Sequence, residues 1–366
     1  MKKIVVSGYY GARNGGDEAI LAAIIEVLTG LDQELNITVI SSDPQDTHKR
    51  HGVNAIGFTN FTQIVTELKQ SDLLISGGGS LLQNVTSGRS LYYYLGIISL
   101  AKLLRCPVML YAQGIGPIYG TFARKLMQFI GNRLDLITVR DEGSLEELAR
   151  LGITRPHIEC TADPVLAIKP VDKQAGQEIL AAYAVKSMRP LIGISVREWR
   201  GWQYYKDVLA ETVHRIGAQL GAQVVFLPMQ FPEDLIVAKS IAIAAKSDAV
   251  VLEREYSTAE LLSLVGNMDL VLSIRLHALI FAGVMGVPLL GISYDPKIDR
   301  FLSSLGEKSV GTLEDITADK LTEEISILWQ NRREIHSVSS RKLKELRQAA
   351  AKNATLALSL LKNKNK

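Results

Sequence analysis

Residues that build disulfide or metal frameworks are scarce in this chain of 366 residues. Its two cysteines, Cys106 and Cys160, are too few for a disulfide-stabilised scaffold. Its six histidines never occur in the H-x-x-x-H spacing of a helical zinc site. The sequence therefore predicts no metal site, and its use of cysteine is typical of the reducing cytoplasm.

Long apolar runs are lacking as well. No window reaches the roughly 18 uninterrupted apolar residues that a membrane-spanning helix needs. The opening residues MKKIVVSGYYG have an apolar core too short for a signal peptide, and they predict a β-strand instead. We therefore expect a cytoplasmic protein that does not cross a membrane.

Acidic residues are scarce near the carboxyl end. Residues 331–366 contain ten Lys and Arg but two Glu, whereas the rest of the chain carries a net charge of −5. The segment Arg332–Leu361 predicts one long helix with no strand after it. Two roles are open for this basic helix: it packs back on the first domain, or it makes peripheral contact with anionic lipid headgroups.

Strand-like and helix-like segments alternate along the chain, and the pattern starts again after residue 190. The strand-like segment Lys3–Gly8, for example, precedes the helical apolar spacing of Asp17–Thr29. Such alternation requires parallel pairing with right-handed crossovers, and the chain is too long for one ordinary core. The sequence predicts an α/β fold of two doubly wound, parallel-sheet (Rossmann-type) domains facing across a cleft. The expected boundaries are 1–168 for the first domain, 169–190 for a connection, 191–330 for the second domain and 331–366 for the basic helix.

Glycines or charged residues follow nearly every predicted strand. The first loop, GYYGARNGGDEA, offers backbone N–H groups to an anion, but it lacks the G-x-G-x-x-G fingerprint of dinucleotide-binding proteins and the Gly-Lys-Ser/Thr of a Walker loop. Because ligands bind at the carboxyl ends of parallel strands, a row of such ends predicts a binding cleft. The predicted cleft residues are Arg13, Asn14, Gly15, Gly16, Asp17, Gly78, Gly79, Gly114, Gly116, Arg140, Asp163, Arg197, Trp199 and Lys297.

The segment Leu270–Pro288 (LVLSIRLHALIFAGVMGVP) is the most informative stretch. A predicted strand over Leu270–Ser273 is followed by Arg275 and His277 in otherwise apolar sequence. A single histidine can be satisfied by backbone groups in a buried turn. Burying the charge of Arg275 in the same apolar segment costs free energy, however, unless the arginine has a partner or a ligand. We therefore interpret both residues as parts of a site at the carboxyl end of this strand.

Seven sequence blocks occur in an order that resembles the bacterial polysaccharide pyruvyl transferases. They are GYYGARNGGDEAIL, SGGGSLL, YAQGIGP, TVRDEGSLEELARLGI, the Ala-Asp-Pro at 162–164, SIRLHALIFAGVMGVP and SYDPKIDRF. Any one block is weak evidence, but their order over Lys3–Phe301 is specific. Within that family, the chain looks like the CsaB-like enzymes that act on secondary cell-wall polymers in S-layer anchoring.

The resemblance implies a GT-B-like fold and transfer of the enolpyruvyl unit of phosphoenolpyruvate, with no other cofactor, to two hydroxyls of one sugar. The product would be a pyruvate ketal on a glycan, expected to be lipid-linked, with release of phosphate. Arg140, Arg275 and Lys297, with the loop glycines Gly114 and Gly116, are expected to bind the carboxylate and phosphate of the donor. His277 is expected to move protons with the help of either Asp17 or Asp163.

The other cleft residues, from Arg13 to Gly16 and at Gly78, Gly79, Arg197 and Trp199, are expected to face the acceptor. Acceptor specificity is expected in the segments Thr59–Gln70 and Gln83–Tyr94. Nucleic acid is not an expected partner.

Two other functions are open on the sequence. A GT-B glycosyltransferase would stack a nucleotide or sugar on Trp199 and Trp202, and it would release a nucleoside diphosphate instead of phosphate. A non-catalytic glycan-binding protein on the same scaffold is disfavoured, because a binding protein has no need of the titratable base His277.

Overall fold

The computed structural model describes residues 2–85, 88–186 and 188–363, apart from the side chains of 333–340 and 363. The chain forms two compact units. Unit 1 consists of Met1–Ala12, Asp17–Ile168 and Leu346–Lys366, and unit 2 of Arg13–Gly16 and Lys169–Glu345. Two basic residues of the predicted tail, Lys364 and Lys366, and residues 86 and 87 of one predicted specificity segment lie outside the described residues.

Unit 1 is built on a parallel eight-stranded sheet. Its strands are β1 (Lys2–Ser7), β2 (Leu35–Ser41), β3 (Asn54–Gly57), β4 (Leu73–Ser76), β5 (Gly79–Leu82), β6 (Val108–Ile115), β7 (Leu136–Val139) and β8 (His157–Cys160). They lie in the order β3-β2-β1-β4-β6-β7-β8, and β5 pairs with β6. Its helices are α1 (Gly15–Leu31), α2 (Pro44–His51), α3 (Phe61–Gln70), α4 (Gly88–Leu103), α5 (Thr121–Gly131), α6 (Glu142–Arg150) and the 3₁₀ helix Pro164–Ala167. The central strands are wholly buried, as expected of a parallel sheet with helices on both faces.

Unit 2 is built on a parallel six-stranded sheet of the same kind. Its strands are β9 (Leu191–Ser195), β10 (Gln223–Phe226), β11 (Val250–Val251), β12 (Leu270–Ser273), β13 (Leu289–Ser293) and β14 (Gly311–Thr312), in the order β11-β10-β9-β12-β13-β14. Its helices are α7 (Gln174–Ala182), α8 (Tyr204–Leu220), α9 (Glu233–Ala245), α10 (Thr258–Gly266), α11 (Leu276–Met285), α12 (Pro296–Leu305) and most of α13 (Ala318–Asn363). Both units are therefore doubly wound α/β structures with parallel sheets.

Two segments belong to a different unit or element from the one we expected. The expected connection 169–190 contains α7, which packs on α10: the backbone N–H of Gly176 donates to Ser263 Oγ at 2.8 Å, and the segment is part of unit 2. The loop Arg13–Gly16 also belongs to unit 2, because the N–H of Gly15 donates to the carbonyl of Met229 at 2.6 Å. Both assignments depend on contacts between residues far apart in sequence, which a local pattern does not contain.

The basic tail is the last part of a longer helix than expected, because α13 begins at Ala318. From Leu346 onwards the helix belongs to unit 1. Its Asn353 is fully buried, where its Oδ1 accepts a hydrogen bond from Thr161 Oγ1 at 2.9 Å, and Lys352 forms an ion pair with Glu159. The residues that it buries are Ala350, Asn353, Ala354, Ala357 and Leu361.

Within the described part of the chain, no helix combines the length and the apolar character needed to cross a bilayer. The described residues also contain no group of three or more His, Cys, Asp or Glu side chains placed to hold a metal ion.

Candidate active site

Arg275 follows β12 and is held by a buried carboxylate of unit 2. Its Nε donates to Oδ2 of Asp234 at 3.0 Å and its Nη2 donates to Oδ1 of the same residue, while the side chains are 13% and 1% exposed. Asp234 Oδ2 also accepts from the backbone N–H groups of Met229 and Gln230, at 3.2 and 2.9 Å. The carboxylate thus fixes both the guanidinium and the turn before α9. In the described chain, Nη1 of Arg275 donates no hydrogen bond, so this nitrogen remains available to an anion.

His277 lies two residues further on, in the first turn of α11, and its ring packs directly on Gly16. A Cβ atom on Gly16 would lie 2.2 Å from His277 Nδ1, so no other residue type fits at that position while the ring stays in place. The loop that carries Gly16 is fixed by two contacts in unit 2: the Gly15 hydrogen bond to Met229 and a β-bridge between Asn14 and Gln230. Gln230 Oε1 in turn accepts from Nη2 of Arg275 at 3.2 Å. Four of the predicted site residues, Asn14, Gly16, Arg275 and His277, are therefore brought together.

A second group of cations surrounds Tyr294 at the end of β13. Nη1 of Arg197 donates to the Tyr294 hydroxyl, and Lys297 Nζ lies 5.2 Å from the centre of the same ring. The ring of Trp199 packs against it with the two centroids 4.8 Å apart. Burial raises the pKa of the Tyr294 hydroxyl, but the charges of Lys297 and Arg197 lower it more, so that the net pKa lies below the usual value. The tyrosine therefore separates two cations that would otherwise repel each other.

These groups meet at one edge of the unit 2 sheet. Strands β9, β12 and β13 are adjacent and parallel, so their carboxyl ends lie side by side. Arg197 follows β9, Arg275 follows β12 and Lys297 follows β13. Arg13 is less central, since its side chain is 61% exposed and lies 3.8 Å from Glu255. The edge presents three cations and one histidine. Arg275 is paired with Asp234, and Lys297 Nζ lies 3.4 Å from Asp295 Oδ2, so the edge keeps a net positive charge that suits a small anion.

The predicted site residues of unit 1 surround a second buried arginine. Arg140, at the end of β7, donates from Nη1 to Asp163 Oδ2 and from Nη2 to Ser80 Oγ, both at 3.0 Å. A Cβ on Gly114 would lie 3.0 Å from Arg140 Nη2, which explains the glycine. Asp163 is also the N-cap of the 3₁₀ helix, since its Oδ1 accepts from the N–H of Val165 at 3.2 Å. Asp163 is thus a partner of Arg140 and a cap at once.

The remaining predicted residues of unit 1 are Asp17, in the first turn of α1, and three loop glycines. Gly79 has a φ of +93°, which favours glycine, and a Cβ there would lie 3.3 Å from Asp17 Oδ1. Gly78 packs on Ile20 and Pro164, and Gly116 packs on Glu147. These glycines make room for neighbouring side chains. The sequence shows where the glycines are, but only the structure shows which side chains pack against them.

Three buried polar atoms at this edge have no hydrogen-bond partner within the described protein. They are Tyr10 Oη, Ser76 Oγ and Gln113 Oε1. Each residue is at most 2% exposed. Tyr10 follows β1, Ser76 ends β4 and Gln113 lies near the end of β6, and these three strands are adjacent. Burial, and next the charge of Asp17, raise the pKa of Tyr10 well above its usual value, so the hydroxyl keeps its proton and is a donor. Buried polar groups are nearly always satisfied, so three such atoms together indicate a place for a polar ligand or bound water.

The family comparison agrees with the sequence blocks. Residues 14–296 match the family model described as polysaccharide pyruvyl transferase, which is most of the chain. The chain belongs to the polysaccharide pyruvyl transferase family. The match contains Arg275, His277, Arg140 and Asp17, but it ends one residue before Lys297.

One named relative and several solved structures are similar to this pyruvyl transferase. The amylovoran biosynthesis protein AmsJ of Erwinia amylovora is 23% identical over 362 residues, covering 83% of this chain and 86% of AmsJ. The solved UDP-GlcNAc 2-epimerase of Neisseria meningitidis, bound to UDP-GlcNAc, has a TM-score of 0.66 at 14% identity, covering 98% of this chain and 99% of its own. HepE of Anabaena, in complex with UDP, has a TM-score of 0.67 at 12% identity, covering 99% and 100%. At such low identities these structures show the fold, which is GT-B-like as expected.

Sequence reasoning missed three residues of the pyruvyl transferase that the structure places in these clusters. Asp234 was overlooked because it lies 41 positions from its partner Arg275. Tyr294 and Tyr10 both lay inside quoted blocks without receiving a role, Tyr10 as the third residue of the first loop. The sequence held a signal for Asp234, because it is an acid at the start of a helical segment that follows a strand end.

Proposed function

We propose that this pyruvyl transferase uses phosphoenolpyruvate as donor and attaches its three-carbon unit to two hydroxyls of one sugar in a glycan. The observation that carries the proposal is the edge of unit 2, where Arg197, Arg275 and Lys297 follow three adjacent strands beside His277. A donor with a carboxylate and a phosphate needs several fixed cations, and Nη1 of Arg275 and Nζ of Lys297 are the groups proposed to contact it.

The proposed reaction moves two protons. The first sugar hydroxyl adds to C2 of the donor while a proton is delivered to the methylene carbon, which becomes a methyl group. The second hydroxyl then displaces the phosphate from C2, and its proton leaves with the phosphate. The products are a cyclic pyruvate ketal and hydrogen phosphate. His277 is the proposed proton carrier, assisted by Asp17 or Asp163, since an imidazole titrates near neutrality.

The acceptor is proposed to be a lipid-linked glycan precursor of a cell-surface polymer, as in the CsaB-like enzymes. The unit 1 edge supports a hydroxyl-rich ligand, because Tyr10, Ser76 and Gln113 offer buried polar atoms that the described protein leaves unsatisfied. No cofactor beyond phosphoenolpyruvate is part of the proposal. The contact of Arg140 with the donor, implied by the resemblance, stays a prediction.

The test incubates the full chain with phosphoenolpyruvate and a panel of free and prenyl-diphosphate-linked sugars. We expect phosphate release that depends on one class of acceptor, and a product heavier than that acceptor by one pyruvate less one water. A parallel arm supplies UDP-sugars. Release of UDP without release of phosphate from phosphoenolpyruvate would contradict the proposal and favour a glycosyltransferase.

A further inference from the structure

Unit 1 contains a long stretch without any acidic residue. The 62 residues from Leu73 to Leu134 include no Asp or Glu, but they include six Lys and Arg. This stretch forms β4 to β6 with α4 and α5, and the two helices pack together through Tyr92 and Phe122, whose ring centroids lie 6.2 Å apart. Lys102 pairs with Asp135 and Arg124 pairs with Glu147, so the net positive charge of this stretch comes from the other four bases, Arg89, Arg105, Lys125 and Arg133.

The same two helices expose large apolar side chains. On α5 and in the turn before it, Tyr119, Phe122 and Phe129 are 65%, 70% and 58% exposed. On α4, Tyr92 and Leu103 are exposed as well. The exposed positions 89, 92, 96, 99 and 103 of α4, and 122, 125 and 129 of α5, follow the three- and four-residue spacing of a single helix face. We call these outward faces, with Tyr119, the α4–α5 face.

Basic side chains are interleaved with these rings. Arg89 and Lys125 are exposed on the outward faces of α4 and α5, and Arg133 stacks on Phe129 with its Cζ 3.5 Å from the ring centre. Within the described chain, these three bases have no carboxylate at ion-pair distance. Acids return on the neighbouring helix α6, where Glu147 pairs with Arg124 of α5 at 3.2 Å and Glu146 pairs with Arg150 at 2.9 Å, so the uncompensated positive charge ends on the side of α5 that faces α6.

The tyrosine at the edge of the face is held firmly. Asn84 Nδ2 donates to the carbonyl of Tyr119 at 2.7 Å, and the N–H of Tyr119 donates to Asn84 Oδ1 at 2.8 Å. This paired contact fixes an exposed aromatic turn, although an exposed ring gains nothing from burial within the unit. Preorganised aromatic and basic side chains on one surface are typical of an interface with a bilayer.

We propose that the α4–α5 face docks on an anionic lipid bilayer. The rings of Tyr92, Tyr119, Phe122 and Phe129 enter the headgroup region, and Arg89, Lys125 and Arg133 contact lipid phosphates. Charge complementarity favours an anionic bilayer as the partner of this face. Its basic side chains match the anionic headgroups, and its aromatic side chains match the apolar layer beneath them. The inference goes beyond the proposed reaction, since it concerns the partner surface and not the donor or the sugar.

The experiment measures co-sedimentation of the full chain with vesicles of phosphatidylcholine, with and without phosphatidylglycerol, at low and high salt. We expect binding to the anionic vesicles that salt weakens. The variant F122S/F129S is expected to lower the partition coefficient at least about tenfold, since it removes two exposed rings. The variant K125E is expected to lower it roughly tenfold at low salt, because it reverses one charge.

Two controls match these variants. I236S/I243S removes two exposed apolar side chains of unit 2, which are 68% and 77% exposed, and should bind as the wild type does. K344E/K362E reverses exposed charges of the basic tail and should also leave binding nearly unchanged. Circular dichroism and the thermal midpoint verify that each variant is folded. No donor or sugar is present, so the outcome is separate from that of the proposed reaction.

Three results would overturn the proposal. The first is a wild-type protein that stays in the supernatant with anionic vesicles at low salt. The second is equal binding of F122S/F129S and the wild type, or a loss of binding through the tail variant instead. The third is a wild-type dimer in sedimentation velocity that F122S/F129S dissociates, because the face would then be an interface between two copies of the chain.

Discussion

Each unit buries an arginine–aspartate pair where a parallel strand ends, but the two pairs have different surroundings. In unit 1, Arg140 follows β7 and its partner Asp163 caps the short 3₁₀ helix after β8, the next strand of the sheet. In unit 2, Arg275 follows β12 and its partner Asp234 comes from the start of α9. The unit 2 carboxylate also accepts the backbone N–H groups of Met229 and Gln230 in the turn before α9, whereas Asp163 accepts the N–H of Val165 in the helix that it caps.

The difference shows that an arginine at a strand end does not define a role by itself. Arg140 is enclosed by Asp163 and Ser80, and its side chain is 6% exposed. In Arg275, by contrast, Nη1 donates no hydrogen bond within the described chain, and the residue lies two positions from His277. We infer that the unit 2 pair orients a ligand-binding cation beside a titratable base, and that the unit 1 pair mainly closes the end of its sheet.

His277→Ala is expected to give the largest effect, because it removes the proposed proton carrier of the unit 2 edge. We expect kcat to fall roughly 10²–10⁴-fold. Calorimetric binding of phosphoenolpyruvate should stay within about tenfold, since Arg275 and Lys297 remain. His157→Ala, at an exposed position of unit 1, is the control and should keep its kcat. A near wild-type rate would make His277 a structural residue, and a collapse of donor binding would make it a ligand contact.

Substitution of Asp234 or Asp163 is expected to change the unfolding transition of one unit and not that of the other. Asp234→Ala should lower stability by roughly 3–5 kcal/mol, because it leaves Arg275 buried without its carboxylate. All three tryptophans, Trp199, Trp202 and Trp329, lie in unit 2, so their fluorescence reports that unit alone. Urea unfolding should show a shifted tryptophan transition for Asp234→Ala.

Asp163→Ala is the matched variant in unit 1. It should shift the transition seen by far-ultraviolet circular dichroism and leave the tryptophan transition in place. If both variants move the tryptophan transition equally, the two pairs do not act within separate units, and the comparison fails.

Lys297→Gln is expected to act on donor binding with little effect on stability. Losing one charge-assisted contact costs about 1.5–3 kcal/mol, so the KM for phosphoenolpyruvate should rise about ten- to a hundredfold. Lys320→Gln, elsewhere in unit 2, is the control.

The double variant R140Q/D163N removes both charges of the unit 1 pair and tests the donor contact that the resemblance implies for Arg140. An unchanged KM in that variant would exclude Arg140 from the donor site.

Two tyrosine variants give the smallest expected effects, and the effects have opposite signs. Tyr10→Phe should raise stability by about 1 kcal/mol, because it removes a buried hydroxyl that no protein group satisfies. Tyr205→Phe should lower stability by about 1 kcal/mol, because its hydroxyl donates to the carbonyl of Arg197 at 2.8 Å. Thermal unfolding in the absence of ligand measures both. A loss of stability in Tyr10→Phe would mean that its hydroxyl is already satisfied in the free protein.

The sequence by itself determined the alternation of strands and helices, the restart that separates two sheets, and the charged or glycine-rich strand ends. These features are local, because apolar periodicity and backbone freedom depend on residues within one or two turns. Arg140, Arg275, His277 and Lys297 were predicted as site residues in this way, since each follows a strand whose apolar sequence is continuous. Short strands such as β3 and β14 contain too few residues for an apolar pattern to be recognised.

The tertiary structure alone decided which partners these residues have. Asp234 pairs with Arg275, Tyr294 lies between Arg197 and Lys297, the loop with Gly16 belongs to unit 2, and the end of α13 packs into unit 1. Apart from the local contact of Tyr294 with Lys297, each of these contacts joins positions separated by at least one intervening strand or helix. Such pairings follow from strand order and the path of the crossovers, and the energy that selects them comes from burial and hydrogen bonding across the whole unit.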